Sequence, residues 1–269
     1  MSGDTHSLVI RLAAPLQSWG VRGQFNRRDT AEEPTKSGIL GLLAAAQGRR
    51  RQDPIEDLLG LRLGVRIDQP GSLLRDYHTV SDYRGHPLPS ASVNAKGVQK
   101  PTSPPKHTHI TQRYYLQDAV FVAAVSGPTD LLMTLVHALR HPAFPLSLGR
   151  RSCPPTQPLL LPAPSNDGVA GNPLWPGDPL DVLARVPWQA SGSYRQALER
   201  DRRMTATRRL PVTVDDEHGD DVRTDLPTSF DPLKRGFGMR RVRQEWVDVP
   251  TGWADAGEQN HDPFALLGW

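Results

Sequence analysis

The residues with the clearest chemistry open one amphipathic stretch, Pro34-Thr35-Lys36-Ser37-Gly38-Ile39-Leu40-Gly41-Leu42-Leu43-Ala44-Ala45-Ala46-Gln47-Gly48. Thr35 is placed to cap a helix, its hydroxyl accepting from the first free amides. Lys36, Ser37 and Gly38 then supply a cation, a hydroxyl, unpaired amides and no bulk, a combination that suits a phosphate. A plain core helix with one small residue for close packing is the alternative. Arg150-Arg151-Ser152 sets two guanidiniums beside a hydroxyl, a pattern for phosphates or splayed bases, or else two surface arginines. Arg75, Tyr77, His78 and Thr79 add a cation and two rings that stack on unpaired bases, although strand alternation turns only one ring toward a given ligand. Arg113 and Arg28 are further phosphate candidates. Gln17 and Trp19 complete the set, Trp19 either stacking on a base or sealing the core.

A second chemistry is open to the histidines. His78, His107 and His109, with Lys100 and Lys106, match the needs of a metal-independent ribonuclease, a base for the 2′-hydroxyl and an acid for the leaving oxygen. Nothing in their spacing fixes that geometry, and an exposed loop accounts for them as well. No further ligands accompany them at a zinc spacing, so no metal or other cofactor is expected. Cys153, the single cysteine, reads as a small buried thiol rather than a nucleophile.

The elements that must position these groups follow from periodicity. Ile39, Leu42, Leu43 and Ala46 form one buried stripe, Gly48 suits a left-handed helix end, and Arg49, Arg50 and Arg51 complement the negative end of the dipole. Ser7–Ala13 is a first strand. Asp57–Leu61 closes a short helix, and Leu61–Asp68 is a strand with Arg62 and Arg66 on a wet face. Residues 70–113 are polar, basic and proline-rich between two β-prone flanks, which predicts a protruding hairpin built to contact something. Ala119–Val125 is a buried strand, Thr129 or Asp130 caps a helix that runs through Arg140, and Pro145–Pro154 is a fourth strand or its exit turn. The order is the ferredoxin-like βαββαβ pattern, the topology of RNA-recognition domains. Beyond it, Leu180–Trp188 reads as a strand, Tyr194–Arg203 as a short basic helix, Asp215–Asp221 as a solvated acidic loop and Met239–Val249 as a returning strand.

Bulk properties set the limits. The 269 residues suffice for one large domain or two small ones. Lys and Arg number 32 against 29 Asp and Glu, a net charge of +3 that allows a nucleic acid partner without requiring one. One cysteine excludes an internal disulfide and fits a reducing cytoplasm. Apolar runs are too short to span a bilayer, so no membrane partner is expected.

Several stretches together resemble one family, the CasD-type, Cas-five branch of the RAMP superfamily in type I-E CRISPR Cascade complexes. They are Leu12-Ala13-Ala14-Pro15-Leu16-Gln17-Ser18-Trp19-Gly20, Pro34–Leu43, Leu74-Arg75-Asp76-Tyr77-His78-Thr79-Val80, Arg113-Tyr114-Tyr115-Leu116, Leu148-Gly149-Arg150-Arg151-Ser152-Cys153-Pro154 and Gln244-Glu245-Trp246. The resemblance covers residues 7–160; residues 165–240 match poorly and those after 250 not at all. It implies an α+β chain. Residues 1–160 would form an RRM-like RAMP domain with a β-hairpin thumb at about 70–113, and residues 161–269 an irregular, loop-rich, β-rich C-terminal part. It also implies a non-catalytic role, gripping the 5′ handle of the CRISPR RNA and capping the foot of the complex. The backbone subunit and the large subunit would be its neighbours, with target DNA met only through the complex. In the type I-C branch the equivalent subunit is the nuclease that processes precursor RNA, which makes that activity the alternative.

Overall fold

In the computed structural model, which describes residues 5–20, 23–24, 26–82, 95–96, 107–164 and 171–253, strand β1 (His6–Ala13) serves two cores at once. Leu8, Ile10 and Leu12 enter one, while Val9, on the opposite face, enters the other. This is strand alternation with both faces covered. After β1 come the short strands β2 (Leu16–Gln17), β3 (Gly23–Gln24) and β4 (Arg27–Arg28), then helix α1 (Lys36–Ala46), the turn α2 (Glu56–Leu59) and strand β5 (Arg62–Gln69). A long ribbon follows, β6 (Ser72–Asp82) against β7 (His107–Gln117), then β8 (Val120–Ser126) and α3 (Thr129–Arg140). The rest is β9 (Leu174–Pro176), α4 (Pro179–Arg185), α5 (Gly192–Arg200) and three long strands, β10 (Thr207–Asp215), β11 (Asp221–Ser229) and β12 (Gly236–Pro250).

The fold is α+β with antiparallel pairing throughout its main sheet, whose order is β11-β12-β10-β5-β8-β1-β9. Helices α1 and α3 pack on the face carrying Leu8, Ile10, Leu63 and Val65. The C-terminal half covers the other face with Trp175, Val182, Leu183 and Trp188. β7 nucleates a second sheet, pairing with β6, β2 and β4.

Three expectations are corrected. Leu180–Trp188 is not a strand: Asp178 accepts from the Asp181 amide and Pro179 takes the first turn, so the segment opens as helix α4. Arg66 does not lie on a wet face, because α4 covers it; fully buried, it pairs with Asp68 at 2.7 Å and donates to the Leu183, Val186 and Pro187 carbonyls at the end of α4. Of the two readings of Pro145–Pro154, the turn is the one seen, and the strand at the free edge of β1 is β9. Asp215 departs from the solvated-loop reading as well, closing β10 with its carboxylate turned inward.

Candidate nucleic-acid interface

Helix α1 begins as its sequence dictates, with Thr35 Oγ1 accepting from the Gly38 amide at 3.2 Å. The phosphate expected there is displaced by the chain's own acids. Asp225 accepts from the Lys36 amide at 2.7 Å, and the Lys36 ammonium is buried against Asp215 at 2.7 Å. Arg240 ties the two carboxylates together, at 2.5 Å from Asp215 and 2.6 Å from Asp225. Glu33 lies beside them, accepting from Thr213 at 2.9 Å and facing Arg223 at 3.4 Å. Its burial pushes its pKa up, only partly offset by Thr213 and the two arginines. Lys36 is therefore a structural cation.

Gln17 and Trp19 also leave the list of contacting residues, both being fully buried. Gln17 donates to the carbonyls of Leu12 at 3.0 Å and Ala119 at 2.7 Å, and accepts from the Trp19 indole at 3.2 Å. The indole lies under α1, where a Cβ on Gly38 would sit 2.7 Å from its ring. Gly38 is needed for helix–ring packing, and the Gln17–Trp19 pair supports the helix from below.

Above that support α1 presents Ser37, Gly38, Gly41, Ala44 and Ala45 to an open groove of about 560 Å³. Small side chains leave the helix backbone approachable. Arginines stand at both ends: Arg150 and Arg235 near the helix start, Arg49, Arg50 and Arg51 near its end. Arg49 is paired with Asp57 at 2.5 Å, which holds the carboxylate's pKa down, while Arg50 and Arg51 are exposed. Phe230 and Arg235, from the C-terminal half, close the far wall. Sequence reading missed both, since nothing local marks the β11–β12 turn as a neighbour of α1.

Arg150 is the best-placed cation. Its turn is laced to β2 by the Ser18 amide donating to the Leu148 carbonyl at 3.1 Å. Gly149 adopts φ +90°, and a Cβ there would meet the Ser18 carbonyl oxygen at 1.7 Å, so only glycine fits. The Arg150 guanidinium donates to the carbonyls of Tyr114 at 3.1 Å and Arg28 at 2.8 Å, and stacks 4.7 Å above the Tyr115 ring. Its donors are partly satisfied by carbonyls, leaving its charge uncancelled by any carboxylate among the described residues. Arg151 and Ser152 are exposed beside it, Ser152 Oγ lying 3.5 Å from the Tyr115 hydroxyl. Cys153 is buried, which raises its thiol pKa and keeps it inert.

The β6–β7 register sorts the remaining candidates onto two faces, since directly opposed residues point the same way. Arg75 opposes Tyr114 and Tyr77 opposes Gln112, which puts Arg75, Tyr77, Thr79 and Tyr114 together. Arg27, paired with Asp29, lies 5.2 Å from the Tyr114 ring. His78, Arg113 and Tyr115 share the other face, the one on which Arg150 stacks. Tyr77 and His78 are thus separated, as alternation requires. Arg28 is exposed at the strand next to β7, opposite Arg113. The side chains of His107 and His109, with Lys100 and Lys106, lie outside the described residues. Among the described residues no three His, Cys, Asp or Glu side chains converge on a metal position.

Comparison with known proteins identifies relatives of this chain. The family described as CRISPR-associated protein (Cas_Cas5) matches residues 7–243. The CRISPR system Cascade subunit CasD of Escherichia coli (strain K12) is 37% identical over 172 residues, covering 57% of this chain and 69% of that protein. A solved chain of a CRISPR RNA-guided surveillance complex is 33% identical with a TM-score of 0.69, covering 91% of this chain and 92% of that one. Another, described as the crystal structure of a Cas protein, is 33% identical with a TM-score of 0.61 over 91% of this chain and 98% of its own. With a family match that spans residues 7–243, this chain belongs to the Cas5 family of CRISPR-associated proteins.

Proposed function

We propose that the chain is a non-catalytic RNA-binding subunit of a CRISPR antiviral effector complex, holding the 5′ handle of the CRISPR RNA at the foot of the assembly. The backbone and large subunits are its protein neighbours, and target DNA reaches it only through them. The observation that carries the reading is Arg150, an arginine fixed by two backbone carbonyls and a tyrosine ring at the mouth of the groove. Such a guanidinium is pre-oriented for phosphate yet not neutralised. The order β9-β1-β8-β5, with α1 and α3 in the first and third connections, supports a ferredoxin-like reading of that part. One difference from RRM domains follows. The sheet face that carries their stacking aromatics is covered here by Trp175 and Trp188, so RNA is held along α1 and the base of the β6–β7 ribbon, which acts as the thumb. The test is incubation of the pure chain with labelled repeat RNA, with and without EDTA. Retention without cleavage is expected; a discrete product would replace this reading with the processing nuclease.

A further inference from the structure

The fully buried arginine and the arginine of the α1 latch are matched to acids, whereas a half-buried arginine on the sheet face away from α1 is not. Arg66 pairs with Asp68, and Arg240 with Asp215 and Asp225. Arg11, on β1 and half-buried, has no carboxylate partner among the described residues. Its Nη1 donates to the Gln189 side-chain oxygen at 3.2 Å and its Nη2 to the Pro158 carbonyl at 3.4 Å, both long contacts to neutral acceptors. Its Nε is buried with no acceptor at all. Burial without a counter-charge depresses its pKa. A buried Nε–H with no acceptor is costly, and the cost is recovered when an anion arrives.

Space for that anion is present. Arg11 lines a cavity of about 710 Å³, together with Thr156, Gln157, Gln189, Ser193 and Arg195. Arg195 reaches its satisfaction elsewhere, donating to the Ala190, Thr251 and Trp188 carbonyls and stacking on Trp188. It therefore adds positive charge to the wall without cancelling any. Asp118 also borders the cavity, but no ion pair joins it to Arg11. Hydroxyls, carboxamides and guanidiniums around an open space suit a tetrahedral oxyanion better than a carboxylate side chain or an apolar group. We propose that Arg11 and this cavity form a phosphate-binding site, separate from the groove along α1. The phosphate is either a phosphodiester of bound nucleic acid or a free phosphate or nucleotide.

Sodium phosphate titrated into the full chain, with chloride lowered to hold ionic strength, tests the site through the arginine Nε–H signals in NMR. One signal should shift saturably and be absent in Arg11→Lys, which keeps charge and most of the volume, and in that variant the binding, followed by the backbone amides of Thr156, Gln189 and Ser193, should weaken about tenfold or more. No saturable shift, or the same shift in Arg11→Lys, overturns the proposal. Arg11→Gln then separates the sources. A nucleic-acid phosphodiester predicts a log–log salt slope for RNA binding shallower by about 0.7. A free phosphate predicts an unchanged slope with phosphate binding lost. A chain that titrates phosphate at Arg11 yet binds no RNA would keep this site and remove the RNA-binding reading instead.

Discussion

Two cationic regions border the same helix and are satisfied in opposite ways. At the start of α1, Lys36 and Arg240 face Asp215 and Asp225, and the charges cancel within the fold. At the groove mouth, Arg150 is held by carbonyls and a ring, which fix its position and leave its charge uncancelled. The difference separates stability from binding. A cation held by carboxylates is a latch, here fastening β10, β11 and β12 to the N-terminal half, whereas a cation held by dipoles remains a receptor.

The latch should give the largest effect. Arg240→Met leaves Asp215 to Lys36 alone and Asp225 to one backbone amide, and breaking a buried pair costs about 3–5 kcal/mol. At about 2–4 °C per kcal/mol for a chain of this size, thermal unfolding should begin well over 5 °C lower, while RNA binding by the folded fraction holds. An unchanged melting temperature would mean that the network is not a latch.

Gly149→Ala blurs the comparison from the other side. The strained backbone and the clash with Ser18 should cost about 1–3 kcal/mol, and the displaced turn should carry Arg150 off Tyr115. RNA affinity should therefore fall even though no contacting side chain has changed. Normal affinity in a normally folded variant would show that the seating of Arg150 is unimportant.

Glu33→Gln should have the smallest effect. Because burial raises the Glu33 pKa in the fold, the folded state binds its proton more tightly than the unfolded chain does. Its contribution is fully present below the ordinary carboxylate pKa and is lost as pH rises through the folded value. At neutral pH the variant should match or slightly exceed the wild type, within about 1 kcal/mol, and lose part of the wild type's decline in stability above mildly acid pH. A large destabilisation would make Glu33 a third carboxylate of the latch.

The helices and strands of the N-terminal half were legible because their signals are local. The Thr35 cap, the Ile39–Ala46 stripe and the apolar run in β8 each declare themselves within a few residues. Arg66 and Lys36 were misplaced for one shared reason: whether a cation is wet depends on what covers it. Their partners come from α4 and from β10, β11 and β12, 117 residues or more away for the Leu183 carbonyl and 179 for Asp215. The same long-range packing hid Phe230 and Arg235. Arg150 was recoverable as a candidate because its neighbours Gly149, Arg151 and Ser152 travel with it, although the ring and carbonyls that seat it do not.

The most direct measurement is the salt dependence of repeat-RNA binding for three chains: wild type, Arg150→Ala and Lys36→Met, at a temperature where all are folded. One lost phosphate contact makes the log–log slope on single-stranded RNA shallower by about 0.7. The expected result is that change in Arg150→Ala, with about tenfold weaker binding, and a wild-type slope in Lys36→Met despite its lower stability. A shallower slope in Lys36→Met beside an unchanged one in Arg150→Ala would contradict the assignment of latch and receptor.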